Sequence, residues 1–524
     1  MIPLASPTLF LYGPPATGKS TCAQNLAVAL GKRALDLDTL VEQRLGQSIP
    51  AYVAEAGPEA FRDVETSVLE NLCKSRPNAV VALGGGSLLR NNNRQMVETC
   101  GPVVCINTPI DILAKRVERK AGSRPFSKNA DALRKTLEER QAHYASFPLT
   151  INVTGEQPPQ EVWPRVMMTL GRYLVSGMGN PYLVTIAPNA IDELPRVLAK
   201  LEPKPRHVLL IGDSNTMPLY RNRVFKALET EIPSYTIPAG EENKTIQTIT
   251  RLWEVMGETK IERNDIVIAL GGGVVGDLTG FAAATWLRGI RWINLPTTLL
   301  SMVDAGIGGK TGADLPQGKN LIGAFHSPCA VLADTETLAT LPKREIRCGL
   351  AESYKHAIIG DPELIPLLRD FAQGQTDIDA LTRMVIRAVG VKVQTILKDP
   401  FEKTGQRAAL NLGHTIGHAI EAASNFKLAH GEAVAIGTVA AAQLSERMML
   451  TQPGLSDKIR NDLTHLGLPT EIPSTHTPED YLNYLNRDKK KSAGFVRFAL
   501  PIAFGQVKTG IVVPHEVLYE ILAK

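Results

Sequence analysis

The sequence predicts an α/β protein in three successive parts: a parallel sheet flanked by helices, a second α/β region of dinucleotide-binding type, and a mostly helical metal-binding region. Three observations carry this. A complete G-x-x-x-x-G-K-[ST] loop, Gly13-Pro14-Pro15-Ala16-Thr17-Gly18-Lys19-Ser20, follows the apolar run Leu9-Phe10-Leu11. A glycine turn, Gly271-Gly272-Gly273-Val274-Val275-Gly276-Asp277, follows a second apolar run much later in the chain. From about Glu345 to Leu468 the pattern changes to long Ala-, Leu- and Ile-rich helical stretches. Two nucleotide-type signatures of different ancestry imply two enzymes fused end to end.

In order, a short strand enters the loop at Gly13 and a helix opens at Lys19. Strands follow at Arg33–Leu37, Val80–Leu83 and Val103–Asn107, a parallel set that needs helical crossovers. Pro158-Pro159 precedes a last helix, and Ser176–Pro181 has linker chemistry, so the first domain is expected over 1–175 and the linker over 176–181. The second α/β domain, 182–344, has strands at His207–Gly212 and Asp265–Leu270. The helical domain takes 345–524.

A chain of 524 residues is too long for one core, and 44% hydrophobic with 21% charged residues is a globular composition. A formal charge of +4 supports neither a nucleic-acid stripe nor a membrane-binding face. Six cysteines without a C-x-x-C pair fit a reducing cytosol. With no basic n-region and no apolar run of about 18 residues, the expected location is cytoplasmic.

In the loop, backbone N–H groups and the helix N-terminus cradle phosphates, Lys19 neutralises the β/γ phosphates and the Ser20 hydroxyl holds magnesium. The loop alone does not separate a kinase from a motor or a switch GTPase. Further on come Asp36-Leu37-Asp38, Phe61-Arg62-Asp63-Val64-Glu65, Gly84-Gly85-Gly86, Arg124-Pro125 and Arg140. In this order they resemble shikimate kinase, over about the first 170 residues by this reading. The resemblance implies that Gly13 to Thr21 binds ATP and that Asp38, Arg62, Gly85, Gly86 and Arg140 hold shikimate. It implies that Asp38 orients the attacking hydroxyl, Asp36 acts with Ser20 on magnesium, Arg124 stabilises the transferring phosphoryl, and Arg116 lies near adenine. Phe126-Ser127 departs from the leucines usual after R-P.

In the second half, Asn411-Leu412-Gly413-His414-Thr415-Ile416-Gly417-His418 puts two histidines on one helix face, with His430-Gly431-Glu432 after it and Glu352 before it. Such a pair alone fits a structural role as well as a metal; two histidines with a carboxylate make an open zinc site. Around it stand Gly240-Glu241 with Lys244, Leu295–Leu300, Val303–Thr311, Gly318-Lys319-Asn320 and Arg407 to His414. Together these resemble 3-dehydroquinate synthase. The resemblance implies zinc (or cobalt) on Glu352, His414 and His430. It implies NAD on Asp213, Asn215, Glu241, Lys244, Gly272, Gly273, Val274, Asp277, Thr297, Thr298, Leu300, Lys319, Thr340, Leu341 and Glu345. Substrate then falls to Asp304, Lys310, Asn320, Lys355, Lys392, Arg407, Asn411, His418 and Lys490, with Asp304, Lys310, Lys355 and His418 in the chemistry. It further implies a homodimer through this half, with Arg288 reaching the neighbouring site. Ser353-Tyr354 and the longer Asp399–Arg407 segment depart from the family pattern.

The alternatives are a related sugar-phosphate cyclase, which the expected carboxylate-binding Arg407 argues against, and a nucleotide-sensing module, for which Asp38, Arg62 and Arg124 would be superfluous.

Overall fold

The computed structural model describes residues 8–118, 130–153, 159–316, 318–374, 377–425, 427–487, 491–492 and 495–523. The chain forms two compact units, Met1–Leu170 and Gly171–Lys524.

In the first unit β1 (Thr8–Tyr12), β2 (Arg33–Asp36), β3 (Ala79–Ala82), β4 (Val103–Asn107) and β5 (Thr150–Asn152) form a parallel sheet in the order β2-β3-β1-β4-β5. β1 is buried along its whole length, as expected of a central parallel strand covered on both faces. The chain leaves β1 to one side and returns to the other, so the loop at Gly13 sits at a topological switch point. Gly13 is required there: its φ is +132°, and a Cβ would lie 2.3 Å from the Ile106 carbonyl oxygen. β2 ends at Asp36, one residue before the sequence reading, because the Asp36 carboxylate accepts the Asp38 N–H (3.0 Å) and caps helix Leu37–Leu45. β3 is likewise shifted by one residue from Val80–Leu83.

The second unit holds a seven-stranded sheet. Its strands are β6 (Arg172–Val175), β7 (Tyr182–Ala187), β8 (Val208–Asp213), β9 (Ser234–Ile237), β10 (Ile266–Gly271), β11 (Arg291–Pro296) and β14 (Ala330–Asp334). The order is β6-β7-β14-β11-β10-β8-β9, parallel except for β6 on β7. This corrects the domain boundary. Residues 172–175 belong to the second sheet, paired from Arg172↔Thr185 to Val175↔Tyr182, and 176–181 closes a hairpin instead of linking domains. Val175 and Tyr173 are buried there. Strand β10 begins at Ile266 rather than Asp265. The Asp265 carboxylate is engaged by the N–H groups of Arg206 and His207 at 2.8 and 2.9 Å, which ends the turn. Between β11 and β14 a hairpin, β12 (Lys310–Leu315) and β13 (Gly318–Phe325), projects from the sheet sequence.

Helices dominate from Lys343 to His465, and helix His430–Arg447 is buried around most of its circumference. The expectation of a helical remainder fails near the end. Strands β15 (Lys491–Ser492), β16 (Phe495–Ala503) and β17 (Gln506–Val512) form an antiparallel sheet, β16 and β17 joined at Phe504-Gly505 with Gly505 at φ +82°. β17 alternates exposed and half-buried residues, a period of two that marks a one-sided strand. Among the described residues no helix is long and apolar enough to cross a membrane.

Candidate active sites

In the first unit, Lys19 Nζ donates to the Gly13 and Pro14 carbonyls at 2.9 and 2.7 Å, folded over the loop it closes. The Ser20 hydroxyl donates to Asp36 at 2.6 Å, so the two groups expected at magnesium meet directly. Arg116 reaches the Ala16 carbonyl at 3.4 Å. The glycine turn after β3 lies close against the side chains expected at shikimate. A Cβ on Gly84 would lie 3.1 Å from Asp38 Oδ1, and one on Gly86 would lie 2.5 Å from Arg62 Nη2. Arg62 is braced by Glu65 at 2.5 Å. Burial raises the Glu65 carboxyl above its usual range, Arg62 opposing. The hydroxyls of Tyr12 and Tyr144 both donate to the Gly85 carbonyl, at 3.2 and 2.7 Å, and Arg140 bonds Tyr144. Nothing in the sequence singles out Tyr12 and Tyr144, because a lone tyrosine on a strand or helix reads as core. Arg124 lies outside the described residues.

In the second unit, helix Lys343–Ile359 carries Glu352, helix His414–Ala423 carries His414 and His418, and helix His430–Arg447 opens with His430. Glu352 is fully buried. Its carboxylate lies against the Lys355 ammonium and faces Nε2 of His414 at 3.5 Å and of His430 at 3.4 Å. His414 Nδ1 bonds the Leu412 carbonyl at 3.1 Å, so it must carry the proton there. Burial, then Lys355, pushes His414 well below its ordinary range, leaving an Nε2 lone pair aimed at a carboxylate oxygen. Two lone pairs facing each other in a buried pocket repel unless a cation stands between them. Burial alone would lower His430, yet Glu352 and Glu421 hold it up at about 9, which again marks a point where positive charge is favoured. The three ligand atoms lie within 4.8 Å of one another, and the donor set of two imidazoles and a carboxylate fits a divalent metal with an open position. His418 stands next to this group, its ring 5.3 Å from that of His414.

Beside the metal ligands lies a dense charge cluster. Asp304 contacts Lys392 at 2.5 Å, His356 at 3.7 Å and Lys355 at 3.9 Å. Burial opposes its charge, but Lys355 and Lys392 hold Asp304 well below the usual carboxylate range. Glu402, which sequence reasoning missed, bridges Lys310 at 2.5 Å and Arg407 Nε at 3.4 Å. The longer segment before Arg407 is organised by Asp399, whose carboxylate accepts the N–H groups of Lys403, Thr404 and Arg407. Arg407 is 1% exposed, and its Nη2 has no hydrogen-bond partner among the described residues.

The third group lines the crevice where strand order reverses, between β8 and β10. Asp213 ends β8 and accepts the N–H groups of Asn215 and Thr216 at 2.9 and 2.8 Å. β10 ends at Gly271, and Gly272 caps helix Gly273–Thr285, whose N-terminal N–H groups suit a phosphate. Val274 and Asp277 lie in its first turns, and Lys244 contacts Asp277 at 2.5 Å and Asn320 at 2.7 Å. The Thr297 N–H bonds Gly271 O at 2.9 Å, a Cβ on Gly272 would lie 3.0 Å from Thr298, and Thr340 meets the Tyr220 hydroxyl. Leu300 precedes a π-turn, Ser301–Ala305, that delivers Asp304; Leu341 and Glu345 flank the start of helix Lys343–Ile359. Lys319 lies 3.5 Å from Glu241 in this crevice and 2.7 Å from Glu421, whose carboxylate is 3.3 Å from the metal ligand His430. Asn411 ends a short turn, Arg407–Asn411. Arg288 stands on an exposed turn, Trp286–Arg288, and Lys490 lies outside the described residues.

Family comparisons agree with this division. Residues 15–170 match the shikimate kinase model, 234–348 the 3-dehydroquinate synthase N-terminal model, and 349–491 its C-terminal model. A 3-dehydroquinate synthase of Xanthomonas campestris pv. campestris is 43% identical over 356 residues, covering 66% of this chain and 95% of its own. One of Synechocystis is 43% identical over 348 residues, covering 65% and 96%. Among solved structures, 2-deoxy-scyllo-inosose synthase complexed with carbaglucose-6-phosphate, NAD+ and Co2+ superposes with TM-score 0.61 at 25% identity, over 67% of this chain and 99% of that one. A 2-epi-5-epi-valiolone synthase of Streptomyces hygroscopicus with NAD+ and Zn2+ gives 0.59 at 28% identity, over 67% and 98%. The chain therefore belongs to the 3-dehydroquinate synthase family, carries a shikimate kinase domain ahead of it, and is a bifunctional enzyme of the shikimate pathway.

Proposed function

We propose that the first unit phosphorylates shikimate from ATP, and that the second converts 3-deoxy-D-arabino-heptulosonate 7-phosphate to 3-dehydroquinate and phosphate. One observation carries the choice of an acidic substrate over a neutral sugar phosphate: Arg407 is buried with a guanidinium nitrogen unpartnered. A buried guanidinium nitrogen left unpartnered is costly unless a ligand anion takes it, and of the two candidate substrates only the acidic one offers a carboxylate for it besides its phosphate.

In the kinase, Arg62 and Arg140 grip the shikimate carboxylate, and Asp38 takes up the proton of the attacking hydroxyl. Lys19 and Arg124 balance charge on the moving phosphoryl, while Ser20 and Asp36 hold magnesium. In the synthase, zinc or cobalt on Glu352, His414 and His430, with NAD in the β8–β10 crevice, supplies hydroxyl acidification and a hydride acceptor that is restored each turnover. The protein's own groups bind and move protons. Arg407 orients the carboxylate, Lys310, Lys355 and Lys392 surround the anionic substrate, Asp304 positions the two buried lysines, and His418 relays protons at the open side. Six free cysteines suit work in the cytoplasm on small molecules.

The synthase half works as a homodimer, with Arg288 serving the partner's site. Leu287 and Arg288 occupy consecutive left-handed conformations, φ +48° and +67°, and Leu287 is 44% exposed. Strain of roughly 1–3 kcal/mol per residue at an exposed turn is most simply retained for contact with something outside the protomer. The test is kinetic. The full chain should turn over both substrates, and Arg288→Ala and Lys310→Ala should each nearly abolish synthase activity. Refolded together they should recover part of it, since one site in each mixed dimer carries neither defect. Heterodimers without recovery would refute action in trans, and no turnover of either substrate by the parent would refute the assignment.

A further inference from the structure

His430 is held from behind. Its Nδ1 lies 3.3 Å from Glu421 Oε2, while the other oxygen of the same carboxylate takes Lys319 Nζ at 2.7 Å. Glu421 is 5% exposed while its two partners are about a third exposed, so the carboxylate is withdrawn from water and its charge-assisted bonds are directional at the edge of the site. Lys319 in turn lies 3.5 Å from Glu241. One side chain therefore joins three elements: helix His414–Ala423, which carries it; helix His430–Arg447, which begins with the imidazole; and β13, which carries the lysine. At one end of this chain of contacts is a metal ligand, and at the other are two residues of the dinucleotide crevice.

We infer that Glu421 is a positioning residue that fixes the His430 ring for the metal and ties that ligand to Lys319 and Glu241, so that metal and dinucleotide binding are coupled. The inference rests on the reading of Glu352, His414 and His430 as the metal ligands and of Lys319 and Glu241 as NAD contacts. The geometry favours a brace over a fourth ligand. Glu421 faces Nδ1 of His430, the nitrogen turned away from Glu352, and its second oxygen is occupied by an ammonium. Glutamine at 421 keeps the volume but replaces one acceptor oxygen by an NH2. Either Lys319 or His430 would then meet a donor.

The experiment uses the full chain, stripped by chelator and titrated with zinc against a chromogenic competitor, without NAD and with saturating NAD. In the parent we expect one zinc per chain at this site, lost in His414→Ala, and an affinity at least about fivefold tighter with NAD present. Glu421→Gln should weaken zinc about 10–100-fold and bring the NAD factor close to one. Lys319→Met, which leaves the imidazoles and carboxylates intact, should also collapse the NAD factor, and it decides alone if Glu421→Gln does not fold. The cobalt-loaded absorption spectrum of Glu421→Gln should keep the parent's band positions, since no ligand is lost. Zinc affinity within twofold of the parent in Glu421→Gln, an NAD factor unchanged in either variant, or shifted cobalt bands would each overturn the inference. A parent that binds no zinc, or a His414→Ala chain that binds it normally, would instead refute the metal site itself and remove the basis of the inference.

Discussion

Lys392 shows how burial sets the behaviour of one residue in this site. Burial is the largest influence and lowers its ammonium to about 8, with Lys355 and Arg407 adding to that and Asp304 opposing it. Below about pH 8 the residue is charged and can attract an anionic substrate. The expected outcome is a synthase kcat/KM that falls as pH rises through about 8, a limb that Lys392→Arg should move to higher pH. The stability sign is opposite. An unfolded lysine keeps its proton up to about 10.4, so between about 8 and 10.4 the unfolded chain binds more protons and stability rises with pH from this residue. Paired kinetic and denaturation profiles check both signs. Gly86 illustrates a steric limit instead. A methyl at this position would lie 2.5 Å from Arg62 Nη2 and displace the guanidinium. Gly86→Ala should lower kinase kcat/KM for shikimate about tenfold or more, the equivalent of one charge-assisted bond. Synthase rates in the same sample should be unchanged.

At the level of elements, β6 determines where the chain can be cut. Its four residues read as the tail of the first domain because the glycine-rich stretch after them has linker composition. That stretch is the turn of a hairpin, and Val175 is wholly buried while Arg172 pairs with Glu193 at 3.1 Å. A fragment 171–524 should fold with full synthase activity, and 1–170 should keep the kinase. A fragment beginning at 179 loses the buried side chains of Tyr173 and Val175, about 1.5–3 kcal/mol each. It should melt several degrees lower than 171–524 in a direct comparison. Equal melting temperatures would mean that β6 is dispensable. The same local signals that misled there were reliable where a motif binds strand to helix: β4 matches its expected bounds, and the phosphate loop leaves the central strand. The β16–β17 hairpin is not legible in the sequence because Phe495–Ala503 is a nearly continuous apolar run, which periodicity alone does not separate from a buried helix, and only β17 alternates.

For the whole molecule, two units with separate sheets predict separable chemistries. After prolonged EDTA and return to excess magnesium, kinase activity should recover while synthase activity should wait for zinc or cobalt. Loss of both until zinc is added would show that the kinase also depends on that metal. Motifs in the chain settled the class of each unit, because a phosphate loop, a glycine turn and a His-x-x-x-His helix each encode a backbone geometry within a few residues. What the linear order could not decide was which distant groups meet. Glu402 lies in the longer Asp399–Arg407 segment, where nothing in the sequence singles it out, yet it bridges Lys310 and Arg407, Tyr12 and Tyr144 converge on one carbonyl, and Glu421 joins His430 to Lys319. Those meetings depend on how strands and helices far apart in sequence pack, and a buried charge reveals its role only through the partner that packing brings to it.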